Sequence, residues 1–101
     1  MTQLSLQSFP SGISAETLRA LLADASQREH VLTAVIRRFE ERYNQSLAEL
    51  EARLAHGEGQ EHPDWEDSIE WRNADEALQR ARLTRKLLDW LLRSIVLSPS
   101  S

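Results

Sequence analysis

Between Leu18 and Tyr43 the apolar residues keep a strict heptad beat. Leu18, Leu22, Ala25, Leu32, Ile36, Phe39 and Tyr43 are separated by alternating steps of four and three once Glu29 is counted as the occupant of the one gap. That spacing holds a narrow stripe in line along a helix, and the stripe is satisfied only when a second helix covers it. It predicts one long helix over about 15–43 and an all-α chain built as a long antiparallel helical hairpin. Ser14 suits the N-cap, where its hydroxyl accepts from an unbonded first-turn N–H, and Glu16 lies where the helix dipole favours an anion. Asn44 tolerates the left-handed conformation that closes a helix at its C-terminus.

Ser46-Leu47-Ala48-Glu49 has the form of a capping box and predicts a short middle helix over about 46–56, with Leu47, Leu50 and Leu54 on one face. His56-Gly57-Glu58-Gly59 ends it. Pro63 fits the first position of a third helix, and Asp64, Glu66 and Asp67 complement its N-terminal dipole. No further Gly or Pro occurs before Pro99, so this helix runs to about residue 97. Residues 1–13 then read as a flexible N-terminal arm, 14–97 as a single helical domain and 98–101 as a tail.

Two apolar faces emerge when the third helix is laid out at about 100° per residue. Trp65, Ile69, Leu83, Leu87 and Trp90 share one; Trp71, Ala74, Leu78, Ala81, Leu88, Leu92 and Ile95 share the other. One face closes a hairpin, and the second implies another chain. Around Leu87, Leu88, Trp90, Leu91, Leu92, Ile95 and Val96 the apolar arc reaches roughly 240°, wider than one packing stripe. Those residues form the expected homodimer interface, two hairpins joining as a four-helix bundle.

Antiparallel packing of the first and third helices is expected to set Tyr43 against Ala74, Phe39 against Leu78, Ile36 against Ala81 and Leu22 against Ile95, so that twice a large side chain meets an alanine. Each seam carries one charged residue, Glu29 and Arg85, and this register brings them within a turn. They are expected to meet, within a chain or across the dimer, and in a dry seam the loss of either would cost about 3 kcal/mol.

Composition removes several classes of function. Cysteine is absent, which excludes disulfides and thiolate chemistry and makes a reducing cytoplasm the expected location. No apolar run is long enough for a membrane span, and Met1-Thr2-Gln3-Leu4-Ser5-Leu6-Gln7-Ser8-Phe9 lacks the pattern of a signal peptide. No Gly-rich phosphate loop or nucleophile elbow occurs, so no catalytic residues, cofactor or enzyme activity are expected. His62 and Glu66 stand four apart as metal ligands do, with His56, Glu58 and Glu61 nearby, but capping and solubility explain that acidic stretch, and no metal is expected.

Charge is divided sharply along the chain. Residues 57–76 hold Glu58, Glu61, Asp64, Glu66, Asp67, Glu70, Asp75 and Glu76 against Arg72 alone, whereas 77–101 hold Arg80, Arg82, Arg85, Lys86 and Arg93 against Asp89. The net charge of −4 disfavours a general nucleic-acid binder. A block of one sign marks where a partner of the other sign docks, and tryptophans in it supply interface anchors. The expected partner-binding residues are therefore Asp64, Trp65, Glu66, Asp67, Glu70 and Trp71.

Arg38-Phe39-Glu40-Glu41-Arg42-Tyr43-Asn44-Gln45-Ser46-Leu47-Ala48-Glu49-Leu50, followed after a glycine-bearing linker by Glu66-Asp67-Ser68-Ile69-Glu70-Trp71, resembles a family of small prokaryotic helical proteins. Their helix break reads R-F-E-x-K/R-Y-G-x-S-x-x-E-F/L, and their acidic segment ends in E-W. The likeness spans roughly residues 30–73; Asn44 stands where the family carries glycine, a change that a C-cap tolerates. Members look like the antitoxin half of type II toxin–antitoxin pairs. The resemblance implies that the acidic Trp segment covers a basic, RNA-handling surface on a toxin. Two other readings follow from the residues alone: a homodimeric scaffold or adaptor, and a nucleic-acid-associated regulator that uses the basic C-terminal helix.

Overall fold

The computed structural model describes residues 14–58 and 61–97, with the side chains of residues 61, 62, 96 and 97 outside that description. The expected arm over 1–13 and the tail over 98–101 lie outside the described residues. Every described element is helical: α1 spans Ala15–Tyr43, α2 Leu47–Ala55 and α3 Glu61–Leu97.

Local chemistry sets the ends. Ser14 Oγ accepts from the Thr17 N–H at 3.2 Å and starts α1. Asn44 stops it at φ 52° and ψ 39°, its N–H donating to the Glu40 carbonyl. Two residues later the Glu49 N–H donates to Ser46 Oγ at 3.1 Å and the Ser46 N–H donates to Glu49 Oε1 at 2.8 Å, a complete capping box. That carboxylate is held below its ordinary pKa, first by the backbone N–H it accepts from. After α2 the chain turns at Gly57, whose φ of 75° is a conformation that side chains rarely adopt. α3 begins at Glu61, two residues ahead of the position expected from Pro63. Proline is tolerated there because first-turn N–H groups have no intrahelical acceptor, so it need not occupy the first position.

α1 and α3 form the hairpin and α2 packs on α3 near the turn. The described body is a rod of 64 × 30 × 19 Å with a radius of gyration of 19.7 Å, against about 13 Å for a compact chain of this length. Its core has two ends. Near the turn Phe39, Leu50 and Trp71 are buried, with Ile36, Tyr43 and Leu47 packed around them. At the far end Leu18, Ala25, Leu88 and Leu92 are buried, flanked by Leu22, Leu91 and Ile95. Buried Ala74, Leu78 and Ala81 lie between them along α3.

Near the turn the register departs from the expected pairing, while at the far end Leu22 and Ile95 pack against one cluster. Phe39 stacks on Trp71, ring centroids 5.6 Å apart and planes 12° from parallel, whereas the sequence reading set it against Leu78. Tyr43 also stacks on Trp71, at 6.2 Å, instead of Ala74. Two aromatic rings gain from one indole a ring–ring contact that Leu78 and Ala74 do not offer.

Candidate functional site

The acidic turns at the start of α3 are divided by helical periodicity into an inner and an outer side. Asp64, Asp67, Ser68 and Trp71 turn toward the hairpin; Trp65, Glu66, Ile69 and Glu70 turn away from it. Trp71 is only 2% exposed, closed in by Phe39, Tyr43 and Leu50. Ser68 is buried too, its hydroxyl donating to the Trp65 carbonyl at 2.7 Å.

Asp67 belongs to an intrachain network. Its Oδ2 accepts from Tyr43 Oη at 2.5 Å and from Arg42 Nη1 at 2.8 Å. Tyr43 Oη also lies 3.3 Å from Asp64 Oδ1. Burial, and then the hydrogen bond to Asp67, push the Tyr43 phenol well above the usual tyrosine pKa. The Arg42 guanidinium is likewise held above its ordinary pKa, chiefly by its hydrogen bond to Asp67. Of the residues expected at the partner surface, Trp71 is therefore in the core, and Asp67 and Asp64 fasten α3 to the end of α1. A run of acids reads as a solvated block in sequence, but the helix turns every third or fourth member inward.

The outer side is an exposed apolar stripe edged with carboxylates. Trp65 is 57% exposed and Ile69, one turn on, 42%, with exposed Glu66 and Glu70 beside them. Farther along the same side, Leu83, Leu87 and Trp90 are 69%, 55% and 57% exposed. Monomeric surfaces seldom display so many large apolar residues in one line unless something covers them.

The expected dimer interface is split in two by the same periodicity. Leu87 and Trp90 lie on the outer stripe, whereas Leu88 and Leu92 are buried in the hairpin, and Leu91 and Ile95 pack against that cluster. Val96 has its side chain outside the described residues. Apolar density is highest over 87–96, but the exposed stripe takes in Leu83 and leaves out Leu88 and Leu92. Leu21 and Val31 of α1 are also exposed, in keeping with their positions off the heptad stripe. Next to the stripe an open groove of about 460 Å³ runs between α1 and α3, over Ala25, Ala81 and Leu88.

Glu29 and Arg85 form an ion pair within the hairpin, Arg85 Nε donating to Glu29 Oε2, with Arg82 Nε 3.8 Å from the other carboxylate oxygen. Their side chains are 18% and 37% exposed, so this pair sits at the edge of the seam and not in a dry core. At the other end Arg72 Nε donates to Glu51 Oε2 at 2.8 Å and ties α2 to α3. That contact holds the Arg72 guanidinium above its ordinary pKa. The basic half of α3 is partly committed inside the chain, Arg82 and Arg85 to Glu29 and Arg93 to Asp89.

Among the described residues no three His, Asp or Glu side chains gather as metal ligands would, and no described helix is long and apolar enough to cross a membrane. Comparison of the chain with protein-family models, with curated proteins and with solved structures finds no match in any of the three.

Proposed function

We propose that this chain is a non-catalytic, cytoplasmic protein–protein interaction module that docks a basic protein, a toxin in the class implied by the motif resemblance. Docking uses the outer side of the first turns of α3. The observation that carries the reading is the split of that segment: Asp67 and Trp71 are fixed inside the hairpin while Trp65, Glu66, Ile69 and Glu70 remain at the surface. A rigid helix thus presents an aromatic anchor within a negative field, the combination that favours fast, specific capture of a positive surface.

The test is co-purification with the product of a small basic reading frame adjoining this one, followed by titration of the Trp65→Ala, Glu66→Lys, Glu70→Lys triple variant. These residues are exposed, so helix content is expected to stay unchanged while affinity falls by a factor of about 100 or more at low salt. Equal affinity of variant and parent contradicts the reading.

A second reading, a homodimeric scaffold, is favoured by the exposed Leu83, Leu87 and Trp90. In it two hairpins close over these residues as a four-helix bundle.

A further inference from the structure

The outer stripe of α3 is apolar at both ends and polar in the middle. Trp65 and Ile69 form one end, Leu83, Leu87 and Trp90 the other, and Arg72, Glu76 and Arg80 are exposed between them. Charge follows the same axis: acids outnumber bases eight to one over residues 57–76, and the excess reverses beyond Ala77. Such a stripe is poorly matched to a parallel copy of itself, which would set acid on acid and base on base. Turned end for end, it is complementary to itself in both hydrophobicity and charge.

We infer that the stripe is an isologous docking surface for a second copy of this chain, in which the two α3 helices run antiparallel about a two-fold axis close to Ala77 and Leu78. This inference rests on the homodimeric reading and fixes its geometry. In this register Trp65 meets Trp90 of the second copy, and Ile69 meets its Leu87. Arg72 lays its aliphatic stem over the second copy's Leu83. Glu76 meets Arg80 twice, once on each side of the axis, as an isologous interface requires. Glu76 is 53% exposed and lies 4.0 Å from Arg72, a long contact that leaves its carboxylate open to this pairing. The large apolar side chains of the stripe hide roughly 100 Å² each. Over two copies they supply about 1,000 Å² before polar neighbours are added, enough to reach the lower range of specific interfaces.

The arrangement has a consequence for the acidic turns. Trp65 and Ile69 are covered by the second copy, so a basic partner and self-association compete for one surface. Capture of the partner then requires the dimer to open.

The absence of cysteine from the chain makes the orientation directly testable. Ile69→Cys and Leu87→Cys alter exposed positions and leave the hairpin core intact. Under mild oxidation an equimolar mixture of the two single variants is expected to form a mixed disulfide, because facing positions come within bonding distance. Each variant alone is expected to form none. Cross-linking of each variant with itself overturns the antiparallel arrangement. A dimer by sedimentation that gives no mixed disulfide overturns the register while leaving the homodimeric reading standing. A monomer at about 10 μM, where a specific dimer of this size is populated, overturns both. Independently, Glu76→Arg or Arg80→Glu alone is expected to raise the dimer dissociation constant about tenfold, and the double exchange to restore most of it. Additive losses overturn the pairing at the axis.

Discussion

Two tryptophans six residues apart take opposite parts in this molecule, and the difference is measurable one residue at a time. Trp71 fills the space between Phe39, Tyr43 and Leu50, so Trp71→Ala is expected to destabilise the hairpin by about 4 kcal/mol in urea unfolding. Trp65→Ala removes an exposed ring and is expected to change the stability of the isolated chain by less than about 0.5 kcal/mol. Tyr43 adds a pH dependence whose sign follows from its environment. Its phenol is raised in the folded state by burial and by Asp67, so the stability it contributes is complete below the unfolded tyrosine pKa of about 10 and is lost as pH rises through the folded value. Because the chain has a single tyrosine, phenolate absorbance reports this group alone, and it is expected to resist ionisation above pH 10 until the chain unfolds. Tyr43→Phe is expected to flatten the alkaline fall in stability. Ionisation of the folded chain near pH 10 would contradict the assignment.

At the scale of the helices, what was legible in the sequence was whatever short-range chemistry decides. The caps at Ser14, Asn44 and Ser46 each depend on a few neighbouring residues, and they place the two ends of α1 and the start of α2. The phase of α3 against α1 is a different kind of question. A heptad stripe slid by seven residues still sets apolar against apolar, and Phe39 does meet Trp71 where periodicity alone permits Leu78. The choice is made by the bulk of the indole and by Leu50 arriving from α2, both long-range matters. Glu29 and Arg85 were legible because each is the only charge in its stripe; their exposure was not, since it depends on how the helices roll. At 18% and 37% exposure the pair is expected to contribute about 1 kcal/mol, below the value for a dry seam. Glu29→Leu or Arg85→Leu alone is expected to cost that amount, falling in high salt. The Leu–Leu double variant is expected to match the parent in chemical unfolding or exceed it. A loss of several kcal/mol that salt leaves unchanged would contradict an edge-of-seam pair.

Over the whole molecule, the candidate site illustrates the same division. The acidic, Trp-bearing turns were visible as a cluster, and periodicity already parted Trp65 and Ile69 from Trp71; the fold adds that Asp64 and Asp67 are engaged by Tyr43 and Arg42 while Glu66 and Glu70 stay exposed. The molecule is a rod 64 Å long, with its core along one side of α3 and a second, exposed apolar line along the other. On the proposed readings α3 has two faces with separate tasks, one closing the hairpin and one serving association. Oxidative footprinting of the three tryptophans across a dilution series tests this most directly. Trp71 is expected to be protected at every concentration, and Trp65 and Trp90 to be reactive in dilute solution and to gain protection together as concentration rises. A reactive Trp71 would contradict the inner face, and Trp65 and Trp90 that react equally at all concentrations would contradict self-association through the outer one.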